Sequence, residues 1–169
     1  MTLTVETGAG IANADSYETL ANTRTYATSR GATLSTDDAT VETQIRTAFD
    51  TLNGYGDRYK GTKHSATQSG QWPRDNARID GFDLDSDAIP KQLKQAQNEL
   101  VIAQSNGTDL SPIGDTARIL EEQVGPIRTR YSETVGAAAG VAPSIPVVDD
   151  LLRPLLRSGA LGGFVTVRV

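Results

Sequence analysis

The 169-residue sequence contains no cysteine, which excludes disulfides, thiolate metal sites and redox chemistry on sulfur. It holds a single histidine, His64, between Lys63 and Ser65. One imidazole cannot build a paired-histidine zinc site, and a lone histidine in a polar stretch reads as a solvated loop residue. Aromatic residues make up 5% and hydrophobic residues 37%, modest material for a self-sufficient core, so partner subunits are expected to bury part of it. No apolar run approaches the ~20 residues that span a bilayer, and the opening MTLTVETGAG lacks the charged-then-apolar order of an export signal. A soluble chain is expected. Basic residues are outnumbered, 16 Lys and Arg against 21 Asp and Glu, and the net charge of -5 opposes non-specific attraction to a polyanion.

Several chemical motifs begin and fail. Gly8 and Gly10 resemble a dinucleotide-binding turn, but Asn13 stands where its third glycine belongs. DLDSDAIPKQLK, from Asp83, opens like a calcium loop; its sixth position is Ala88 instead of glycine and its twelfth is Lys94 instead of a bidentate glutamate. Asp83, Asp85 and Asp87 read instead as an acidic lead-in to the positive end of a helix. Glu121 and Glu122 are adjacent in a strand-like run and so face opposite sides, which removes the closest carboxylate pair. No catalytic residue, metal or cofactor is expected.

What is present is mainly helical patterning. Residues 2–6, TLTVE, alternate and stop at glycine, a short N-terminal strand. Thr19 caps a helix to about Ser29, with Leu20, Ala21, Tyr26 and Ala27 inward and Gly31 as the stop. Thr36, Asp37 and Asp38 precede a second helix whose Val41, Ile45, Ala48, Phe49 and Leu52 recur at helical spacing up to Asn53 and Gly54. A third starts at Pro90 and runs to about Ser105 on a stripe of Leu93, Ala96, Leu100 and Ala103. Residues 117–131 hold two β-prone runs around Gly125 and Pro126, a hairpin element. Residues 134–146 look like a linker. A last helix from Val147 is shortened by Pro154. The expectation is a small bundle of about four helices in one domain, 1–157, with a long loop at 55–88 and the hairpin at 117–131.

Two stretches carry the functional question. In the loop, Arg58, Lys60, Lys63, Arg74 and Arg78 outnumber Asp57 and Asp75, and Tyr55, Tyr59 and Trp72 are interleaved. Bases stack on such aromatics at ~1–3 kcal/mol each, so Tyr55, Tyr59, Trp72 and Arg74 form a candidate single-stranded DNA site within 55–79. A Trp followed by Pro is more often a packing anchor, with Trp72 and Pro73 pinning the loop to a helix pair. At the other end, residues 158–169 form an extended tail behind glycines. There Val165, Val167 and Val169 alternate with Phe164, Thr166 and Arg168, the pattern of a strand donated to another protein's sheet edge.

The sequence also resembles a family of tailed-bacteriophage proteins often labelled DnaT-like ssDNA-binding protein, which look like head-to-tail connector adaptors. The resemblance rests on NADSY at 13–17, QWPR at 71–74, IPKQLKQAQNEL at 89–100, VGPIRTRY at 124–131 and VVDDLLRPLL at 147–156, in order along nearly the whole chain. It implies a mostly helical subunit assembled as a ring, typically of twelve copies, between the portal protein and a stopper or tail-completion protein in the virion neck. Its partners would be portal, stopper and further copies of itself, with assembly in the host cytoplasm and no membrane. Double-stranded DNA would pass through the lumen without specific binding, and an acidic lumen suits that passage. By the same resemblance the portal-docking tail is Phe164, Val165, Thr166, Val167, Arg168 and Val169. Val124, Gly125, Pro126 and Ile127, together with Arg74, would reach a neighbouring subunit or the stopper.

Overall fold

The structure, a computed structural model, describes residues 2–110, 121–124, 127–130 and 145–158. Among them the protein is mainly α, built on four helices: α1 (Leu20–Ser29), α2 (Asp38–Asn53), α3 (Lys91–Ser105) and α4 (Pro146–Leu152). Three antiparallel strand pairs accompany them: β1 (Thr62–Lys63) with β2 (Arg74–Asp75), β3 (Arg78–Ile79) with β4 (Phe82–Asp83), and β5 (Glu121–Val124) with β6 (Ile127–Arg130). The chain divides into two compact units, Met1–Thr108 with Ser144–Val169, and Asp109–Pro143. β5 and β6 lie in the second of these units.

The helices start and stop for local reasons. Thr19 caps α1 by accepting the amide hydrogen of Asn22 at 3.2 Å, and Gly31 follows its end at φ +72°. Asp37 caps α2 in the same way through Thr40 at 3.0 Å. Pro90 precedes α3, where a missing N–H leaves no bond unmade. After α4 the chain tightens into a 3₁₀ turn, Arg153–Leu155, because Pro154 supplies no N–H to continue an α-helix.

α2 packs on α3, and α3 on α4. The interface buries Val41, Ile45, Ala48, Phe49 and Leu52 from α2, Leu93, Ala96, Leu100 and Val101 from α3, and Val148 and Leu152 from α4. The α2 stripe matches the helical spacing of the sequence at every position. α3 does not: Ala103 is half-buried, and the buried face takes in Val101 with the polar Gln97 and Asn98. α1 also departs from expectation. Its buried residues are Thr23 and Ala27, whereas Ala21 is exposed and Leu20 and Tyr26 are half-buried. The reason is polar packing, since the Thr23 hydroxyl donates to Asn98 Oδ1 at 2.9 Å inside the α1–α3 contact.

The N-terminal strand reduces to one parallel bridge between Val5 and Ser16. Its partner is the returning segment at 15–16, joined by the Glu6 N to Ser16 O and Asp15 N to Thr4 O backbone bonds, at 2.8 and 2.9 Å, and by Thr4 N donating to Asp15 Oδ1 at 2.6 Å. In the second unit, β5 and β6 pair from Glu121 with Arg130 to Val124 with Ile127. Gly125 and Pro126, residues 134–144 and the tail 159–169 lie outside the described residues.

Candidate functional site

The 55–88 loop, expected to lack regular structure, carries short regular elements. A 3₁₀ turn at Gly56–Arg58 leads into the two hairpin pairs β1–β2 and β3–β4. Its start is clamped by the segment that follows α4: Tyr59 bridges Leu156, Lys60 N donates to Leu155 O at 2.9 Å, and Arg157 N donates to Arg58 O at 2.8 Å.

Trp72 lies at 0% exposure, the largest fully buried side chain of the described residues. Tyr59 meets its indole edge-on, ring centres 5.9 Å apart, and is itself fully buried. The Tyr59 hydroxyl donates to Leu52 O at 2.9 Å, and burial pushes its pKa well above the ordinary phenol value. Pro73 is buried next to Trp72, and the peptide bond between them is cis. The backbone at this point is held by Tyr17, whose phenol oxygen accepts from Gln71 N at 2.9 Å and Trp72 N at 3.3 Å while donating to Asn53 Oδ1 at 2.8 Å. Burial raises the Tyr17 pKa as well.

Arg74 is 4% exposed. Its Nε donates to Lys60 O at 2.8 Å, Nη2 to Gly61 O at 3.0 Å, and Nη1 to both Gln71 O and Gln71 Oε1 at 3.1 Å. This is the use for which a planar five-donor fork is suited, gathering main-chain carbonyls from two strands of a loop. Burial, and then the neighbouring Arg157, lower its pKa. An Arg74 directed at a neighbouring subunit is therefore not what the geometry gives: the side chain points into its own loop and all three guanidinium nitrogens are engaged there.

The aromatic-basic set thus does not converge on a surface. Of the four candidate residues, Trp72 and Tyr59 are core, Arg74 is interior and Tyr55 is half-buried, with Arg58 stacked 4.5 Å over its ring. Base stacking needs an open ring face, which Trp72 and Tyr59 lack. His64 is exposed and its Nδ1 lies 2.9 Å from Asp75 Oδ1 across the β1–β2 pair. Among the described residues no three His, Cys, Asp or Glu side chains gather as a metal site would require. None of the described helices is long and apolar enough to cross a membrane.

Two polar centres were not legible in advance. Glu6 is fully buried, and its carboxylate accepts from Gly8 N at 2.9 Å, Gly10 N at 3.0 Å and Ile11 N at 2.7 Å, which closes the glycine turn around it. Gln97, also fully buried, accepts from Tyr17 N and donates to the Ser16 hydroxyl, both at 2.8 Å. The NADSY segment is thereby fixed to α3. A glutamate closing an alternating run just before G-x-G, and a glutamine on the apolar side of α3, were the available signals.

The surface that remains open is elsewhere. α1 and α3 leave a groove of about 510 Å³ lined by Tyr26, Ile89, Lys91, Lys94 and Asn98, with Glu18 at its edge. Tyr26 donates to Glu99 Oε1 at 2.7 Å; burial, and then this bond, push its pKa up to about 12. The chain matches no curated protein and no solved structure. A family model does match, over residues 1–169, and the chain belongs to the family described as "Putative DnaT-like ssDNA binding protein".

Proposed function

We propose that this protein is a structural adaptor of the tailed-bacteriophage head-to-tail junction, a ring-forming subunit between portal and stopper. The observation that carries the reading is the interior engagement of Trp72, Tyr59 and Arg74. The residues that best suit a nucleic-acid site are used to fold a long loop, as expected of a subunit whose work is to present loops and arms to other proteins. The excess of acidic residues also favours a conduit along which DNA slides. In this reading the alternating tail Phe164 to Val169 docks on a sheet edge of the portal, and β5–β6 extends toward a neighbour or the stopper.

The test is to locate the chain in virions. A tag on it should be imaged in the neck, and purified protein should add a ring to purified portal. Deletion of 159–169 should abolish that addition and leave the helical circular dichroism unchanged. A protein absent from the neck that does not bind portal overturns the proposal.

A second reading, binding of single-stranded DNA, is favoured by the description of the family. It requires a surface other than the loop aromatics. Oligonucleotide titrations at low salt should show affinity that falls steeply with salt if it holds, and flat titrations end it.

A further inference from the structure

Phe82 stands 77% exposed at the tip of the β3–β4 hairpin, the most exposed large apolar side chain among the described residues. The tip is rigidly built. Asp80 and Gly81 both take positive φ, +52° and +89°, as a two-residue type I′ turn demands. Arg78 straps the turn, donating from Nη2 to Gly81 O at 2.7 Å and pairing through Nε with Asp83 at 2.9 Å. Ile79 is buried and anchors β3. A Phe held in water forgoes the stabilisation its burial would contribute, and here it is held there by a fixed turn. Around it Asp80, Asp85 and Asp87 are exposed and make no ion pair among the described residues.

The α1–α3 groove has the opposite character. Tyr26 and Ile89 give it an apolar wall, and its volume of about 510 Å³ lies within the range of pockets that accept an aromatic group. Lys91 and Lys94 flank it and are likewise without ion pairs among the described residues, while Glu18 stands on the α1 side. That distribution gives an incoming acidic hairpin one preferred orientation, aspartates toward the lysines and Arg78 toward Glu18.

We propose that Phe82 of one copy of this chain seats in the α1–α3 groove of the next copy, with Asp80 and Asp85 facing Lys91 and Lys94. Knob and groove are different patches of one molecule, so the contact is head-to-tail; it yields a ring where the rotation between copies closes and an open filament where it does not. The inference rests on the ring-forming reading above and names the contact that links its subunits.

The experiment uses the full chain with Phe82 replaced by p-benzoyl-phenylalanine, irradiated as an equal mixture of unlabelled and isotope-labelled protein and mapped by mass spectrometry. Crosslinks between copies into residues 18–29 or 89–98 are expected. Crosslinks only elsewhere, or none between copies, overturn the contact. In sedimentation, Phe82→Ala should weaken self-association by at least about tenfold, as loss of a buried aromatic anchor does. Lys94→Glu should weaken it and Lys94→Glu with Asp85→Lys should recover part of the loss; equal association by all variants is a negative result. A chain found in the neck but without this crosslink refutes the contact alone, whereas a crosslinked chain absent from the neck refutes the adaptor.

Discussion

The phenol oxygen of Tyr17 accepts the amide hydrogen of Gln71 at 2.9 Å while giving its own hydrogen to Asn53 at 2.8 Å. One atom therefore ties the N-terminal segment, the end of α2 and the buried part of the 55–88 loop. Tyr17→Phe removes the acceptor from Gln71 N and Trp72 N and the donor to Asn53 without changing the ring. The expected loss is about 1–3 kcal/mol, the cost of stranding buried polar groups, read from the midpoint of urea unfolding. Asn53 Oδ1 also accepts from Gln71 N at 2.9 Å, so Asn53→Ala should cost a similar amount, and the double variant less than the sum of the two.

Trp72 and Arg74 should behave as parts of one folded loop. Trp72→Ala empties a fully buried site, and a cost of about 3–5 kcal/mol is expected. Trp72→Phe should cost much less, because the indole Nε1 has no hydrogen-bond partner among the described residues and its loss breaks no bond. Arg74→Lys keeps the charge but not the fork that reaches Lys60 O, Gly61 O and Gln71 together, so about 1–3 kcal/mol should be lost. Thermal unfolding checks both, and an Arg74→Lys protein as stable as the parent contradicts the interior role.

Acid should act partly through the α2 cap. The Thr40 hydroxyl and then the Thr40 amide donate to Asp37 and hold its pKa below the ordinary aspartate value. A carboxylate whose folded pKa is depressed contributes stability above its unfolded pKa and loses it as pH falls through the folded pKa. Asp37→Ala should therefore lower the melting temperature at neutral pH. The gap to the parent should narrow as pH falls through the aspartate range and be smallest below the folded pKa of Asp37. A gap that is the same at all pH values refutes the charge-dependent part of the cap.

The helices were legible because their information is local. The α2 spacing and caps at Thr19 and Asp37 need no knowledge of the partner surface, and the Pro154 break follows from one missing N–H. The loop was opaque because residues far apart in sequence hold it. Tyr17 is 54 positions from Gln71, Gln97 is 80 from Tyr17, and Arg74 reaches back 14 to Lys60. The buried face of α1 is hidden in the sequence for a related reason. Thr23 is buried there because Asn98 satisfies it, and a polar pair across two helices leaves no apolar signal at that contact.

The sharpest steric test lies at Gly8. Its φ is +107°, and a Cβ placed on it would lie 1.8 Å from the Asp87 carbonyl oxygen, far inside contact distance. Gly31 gives the comparison, since its φ of +72° is also left-handed but a Cβ there meets nothing within 4 Å. Gly31→Ala should thus show the conformational cost alone, roughly 1–2 kcal/mol. Gly8→Ala must add displacement of the segment leading into α3 and disturb the Gly8 and Gly10 amides that close on Glu6. It should lose substantially more stability than Gly31→Ala, and amide exchange at Gly8, Gly10 and Ile11 should accelerate selectively. Equal melting temperatures for the two variants would mean that the glycine turn does not lie against Asp87.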